Sequence, residues 1–116
     1  MPQSSTELSS TTIQRRASSR TVQERRIVSA LLKPYVLRFD QWHREAAYLR
    51  AALVRADQPA ENERLRSRFD AIAREVDESF ESCRAATANH AHTSMVRDLT
   101  LSYRNLLTML RTHGAA

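Results

Sequence analysis

Cys83, His90 and His92 come nearest to a metal-binding group in this sequence, because Cys83 and His90 are seven residues apart and so share one face of a helix. Zinc held for structure takes four ligands, usually in tight pairs such as C-x2-C or H-x3-H, and no second pair accompanies these three. The expectation is therefore no metal and no cofactor, with Cys83 packed in an apolar seam and the two histidines in a turn between helices. Asp77, Glu78 and Glu81 raise the question of general acid and base catalysis, which needs carboxyls whose environments separate their pKa values. Their spacing scatters them around a helix flanked by Arg74 and Arg84, the pattern of a solvated face. Ser, His and Asp are all present, but no glycine elbow or oxyanion loop accompanies them. The chain is not expected to be an enzyme.

Arg64, Arg66 and Arg68 have the residue type for phosphate contact. Successive members lie about 200° apart around a helix, and Glu61, Glu63 and Asp70 offset them. A salt-bridged helix surface explains them better than a nucleic-acid face.

The elements that position these side chains must be helices. The only glycine among 116 residues is Gly114. Hairpin turns and phosphate-cradling loops use glycine for positive φ or for close backbone approach, so sandwiches, P-loops and dinucleotide folds are excluded. Leu, Ile, Val and Phe number 24 of 116, which makes for a thin core. A single cysteine makes no internal disulfide, which favours a reducing compartment. No apolar run approaches the ~18–20 residues that span a bilayer. The expected localisation is intracellular, with the cytoplasm favoured.

The net charge is +5, and 17 of the 18 cations are arginine. Residues 1–34 hold six cations against two acids, whereas residues 35–116 are nearly balanced. Residues 1–21 contain ten Ser or Thr and few apolar side chains, so 1–20 reads as a disordered basic arm. Arg15, Arg16, Arg20, Arg25 and Arg26 are its candidate anion contacts, and Ser18, just after Arg15-Arg16-Ala17, is its candidate phosphosite. The same composition fits a mitochondrial transit peptide, which is the alternative to a cytoplasmic tail.

Thr21-Val22-Gln23-Glu24 fits a capping box and predicts a helix start. Apolar residues then follow at Val28, Leu32, Tyr35, Phe39, Trp42, Ala46, Leu49, Leu53 and Ala56, with alternating spacings of four and three. Such a period favours packing along another helix. Pro34 interrupts it, so the segment reads as helices over 21–33 and 34–56, joined by a kink or a break. Asp57-Gln58-Pro59 is a short connection that folds the next helix, 59–89, back antiparallel. Its apolar face is Leu65, Phe69, Ile72 and Val76, and it weakens after Phe80. The phase resets near Asn89 to Ser94, and Val96, Leu99, Tyr103, Leu106 and Leu110 predict a third helix over 94–112, capped by Thr93 or Ser94.

The expected fold is all-α: an antiparallel helical hairpin or three-helix bundle with a coiled-coil-like heptad seam, a disordered basic arm over 1–20 and one helical domain over 21–113. The thin core and the aromatic stripe Tyr35, Phe39, Trp42 point to a non-enzymatic assembly or adaptor subunit. Its protein partners, in a homo- or hetero-oligomer, would dock on the seam. The alternative is binding of nucleic acid or another acidic surface through the arm, with nucleic acid not favoured. No family resemblance spans the chain.

Overall fold

The computed structural model describes the backbone of residues 2–114 and the side chains of residues 21–114. It is all-α, with helix α1 over Pro2–Arg55, α2 over Pro59–Ala86 and α3 over Ser94–His113. A single 3-10 turn, Ala88–His90, lies between α2 and α3. The backbone of residues 2–20, expected as a disordered arm, belongs to α1, while the anion contacts expected at Arg15, Arg16 and Arg20 and the phosphosite expected at Ser18 lie outside the described side chains.

α1 does not open at Thr21, and it does not break at Pro34. The split into helices over 21–33 and 34–56 is thus corrected to one helix, and burial gives the reason. Pro34 and Ala30, the residue whose carbonyl loses its amide donor, are both exposed. Water can satisfy that carbonyl, and the proline ring displaces it toward solvent rather than into a neighbouring helix.

α2 starts with Pro59 in its first turn, where a missing N–H costs nothing. It ends at Ala86, short of the expected 89, because Thr87 closes it twice. The Thr87 amide donates to the Cys83 carbonyl at 3.0 Å, and its buried hydroxyl donates to the same oxygen at 2.7 Å. The 3-10 turn and His92 follow, and Thr93 then caps α3 by accepting from the Val96 amide at 3.5 Å. This is the phase reset required by the change in apolar register.

Cross-helix contacts fix the directions. Tyr35 meets Ser82, Trp42 meets Glu75, and Glu45 meets Arg68, so α2 runs antiparallel to α1. Ser79 meets Tyr103 and Arg66 meets His113, so α3 runs antiparallel to α2 and parallel to α1. The main core joins Ala46 and Leu49 of α1, Leu65, Phe69, Ile72, Val76 and Phe80 of α2, and Tyr103, Leu106 and Leu110 of α3. Val28, Leu32, Cys83 and Val96 close the end near the α2–α3 connection. Each fully buried large side chain contributes about 1.5–3 kcal/mol, which lets a thin core hold three helices.

At the far end, Gly114 is buried with φ −71° and ψ 176°, so it supplies space rather than an unusual conformation. A Cβ there would run into the Asp70 carboxylate and lie 3.3 Å from the Leu110 carbonyl oxygen.

Candidate docking surface

The side chains expected to form a partner-binding seam meet one another inside the chain. Val28, Leu32, Leu49, Leu65, Phe69, Ile72, Val76, Val96, Tyr103, Leu106 and Leu110 are buried. Tyr35, Phe39, Trp42, Leu53 and Leu99 pack half-buried against them. Tyr103 is the hub of the aromatic stripe: its ring lies 5.4 Å from Phe39, 6.0 Å from Phe80 and 6.4 Å from Trp42, centroid to centroid. The three helices of one chain thus bury much of the stripe against one another, leaving Tyr35, Phe39 and Trp42 half-exposed at its edge.

The groups with possible chemistry are accounted for locally. Cys83 is buried, and desolvation pushes its thiol pKa up, against the opposing effect of the Thr87 hydroxyl; the thiolate a metal requires is disfavoured. His90 and His92 turn instead to Glu24 of α1, whose Oε1 lies 3.4 Å from His90 Nδ1 and 3.0 Å from His92 Nε2. That contact pins the α2–α3 connection to α1. Among the described residues, no group of three or more His, Cys, Asp and Glu side chains is arranged to hold a metal ion.

Asp77 lies 3.8 Å from Arg111, and Glu81 lies 3.6 Å from Arg84. Arg68 pairs with Glu45 at 2.6 Å, while Arg66 donates to Asn62 at 2.8 Å and to the His113 carbonyl at 3.4 Å. Arg66 and Arg68 thus knit α2 to α3 and α1.

What stays open is the surface between the first described turns of α1 and the start of α3. Leu37 is 56% exposed, Val22 47% and Val36 39%. Val36 and Leu37, with half-buried Met95 and Leu99 of α3, border a depression of about 390 Å³ floored by Leu32, and an adjoining depression that shares Ser29, Lys33 and Met95 runs along α1 to Val22. Arg25, Arg26 and Lys33 stand along this surface, and no acid is among the residues that line it. Arg25 and Arg26, assigned from sequence to the anion-contact arm, are exposed here. A second depression, between the end of α2 and α3, is lined by Glu81, Arg84 and Arg97 and is mixed in charge.

Val22, Val36, Leu37 and Met95 were missed from sequence because each falls beside the regular 4,3 stripe. The available signal was the seven-residue spacing of Val22, Ser29 and Val36, a shallower second stripe. Comparison with known proteins finds no matching family model, no matching curated sequence and no matching solved structure. Among the described residues, no helix is long and apolar enough to cross a membrane.

Proposed function

We propose that this chain is a non-enzymatic assembly or adaptor subunit that receives a partner helix in the groove between α1 and α3. One observation carries the reading: exposed Val36 and Leu37 and half-buried Met95 and Leu99 border one depression over Leu32, and an adjoining depression sharing Met95 extends it to exposed Val22. Contiguous apolar surface of this kind marks an interaction site more often than scattered exposed residues do. A valley between two helices is also the shape that takes a third, reading its side chains at i, i+3, i+4 and i+7.

The test is site-specific photo-crosslinking of the full chain in its native cells. A photoreactive residue at Leu37 is compared with one at Glu78, an exposed position on α2. A discrete adduct from position 37 alone, lost on adding Met95→Glu, is the expected result. Identical adduct patterns from both positions would remove the groove as a docking site.

A further inference from the structure

We infer that the occupant of the α1/α3 groove is an acidic amphipathic helix of another protein, about four turns long. The inference rests on the docking reading above and adds the partner's chemistry. From Val22 to Leu37 the α1 side of the surface extends about 22 Å, at ~1.5 Å per residue, which matches a helix of about 15 residues. Its apolar face would lie against Val36, Leu37, Met95 and Leu99.

Charge sets the partner's polar flank. Arg25, Arg26 and Lys33 line the strip and no acid does. Glu24 lines the adjoining depression beside Arg25 and Met95, where it is engaged by His90 and His92, and exposed Asp40 and Asp98, one turn from Leu37 and Met95, stand outside the lining. Asp or Glu on the incoming helix would meet these cations, whereas Lys or Arg would be repelled. A second copy of the chain is disfavoured for the same reason, since a two-fold contact through this face would set both sets of cations against each other. A lipid surface fits the relief poorly. Leu37 and Val22 protrude, but Leu32 is buried on the groove floor and Met95 and Leu99 are half-buried, a concave relief that a narrow helix fills more fully than a flat bilayer does.

The test uses three synthetic peptides of 15 residues with one apolar register and with Glu, Gln or Lys at the flanking positions. Binding is read from the methyl NMR signal of Met95, with Met109, packed against the main core, as the internal control. The Glu peptide should shift Met95, leave Met109 in place, and bind about tenfold more tightly than the Gln peptide at low salt, the Lys peptide being weakest. The advantage should fade between about 0.05 and about 0.5 M salt. The double variant R26E/K33E, both exposed positions, should reverse the order with helicity unchanged.

Equal affinities for all three peptides would overturn the acidic assignment while leaving the groove a docking site. No Met95 shift with any peptide would overturn the docking reading as well. A Met95 shift with anionic phospholipid vesicles but not with the Glu peptide would replace the protein partner by a lipid surface and overturn the inference.

Discussion

The Tyr103 hydroxyl donates a 2.8 Å hydrogen bond to the backbone carbonyl of Tyr35, tying α3 to α1 at a point where both are closed in by α2. Ser79 of α2 completes the junction, its Oγ 3.2 Å from the same phenolic oxygen. A buried phenol without partners would destabilise the bundle. Here one residue couples all three helices, while its ring fills the space between Phe39, Trp42 and Phe80. Tyr103→Phe keeps the ring and strands Ser79, and should cost about 1–2 kcal/mol. Tyr103→Ala also opens a cavity and should cost about 3–5 kcal/mol. Urea denaturation followed by circular dichroism separates the two; equal stability of Tyr103→Phe and the parent chain would mean that the junction contributes nothing.

Alkaline pH should weaken the same region. Burial raises the Tyr103 pKa above its ordinary value, the largest cause, with the Ser79 hydrogen bond acting against it. Burial also raises the Cys83 pKa. For both groups the folded state holds its proton to higher pH than the unfolded chain. Their contributions are therefore fully present below the unfolded values, about 8.5 for Cys and about 10 for Tyr, and are lost as pH rises through the raised folded values. Denaturation midpoints should fall from about pH 9 upward, with a gentler slope in Tyr103→Phe carrying Cys83→Ala. Parallel pH profiles for the variant and the parent would contradict this.

Cys83 offers a direct probe of opening, since it is the only cysteine and is 3% exposed. Below the transition, a thiol reagent should label it only through unfolding of the end cluster, at a rate that rises with urea. Zinc content should be the same for Cys83→Ser and the parent chain. Immediate stoichiometric labelling of the folded protein would show that the α1–α3 end is open in solution.

The helices were legible in the sequence wherever a local rule agreed with a buried stripe. Thr93 and the 3,4 spacing from Val96 to Leu110 sufficed for α3, because a cap and an amphipathic face are both read within a few residues. Pro34 was not legible in its effect, since a proline breaks or spares a helix according to the side it faces, and that is set by where α2 and α3 pack. The groove was hidden for a related reason. Val36 and Leu37 are exposed because of how the bundle packs around them, and Glu24 finds His90 and His92 across more than 60 residues of chain. Periodicity identifies which side chains can be buried, but not which apolar residues the finished bundle leaves uncovered.

Pro34 yields a prediction of opposite sign to the core variants. Proline in a helix interior costs about 3 kcal/mol relative to alanine, through the lost amide donor and the displaced carbonyl. In α1 the cost is lowered because Ala30 and Pro34 face water, and it is partly offset because proline restricts the unfolded chain. Pro34→Ala restores the hydrogen bond to the Ala30 carbonyl and should stabilise the bundle by about 1–2 kcal/mol. If the residue shaped the core, the same change would destabilise the protein, because Tyr35 would be turned away from Tyr103. Thermal denaturation of Pro34→Ala, with and without Tyr103→Phe, decides between them. A gain that is the same in both backgrounds means that the proline is a tolerated defect on the solvent face. A loss confined to the Tyr103 background means that it sets the position of the Tyr35 carbonyl.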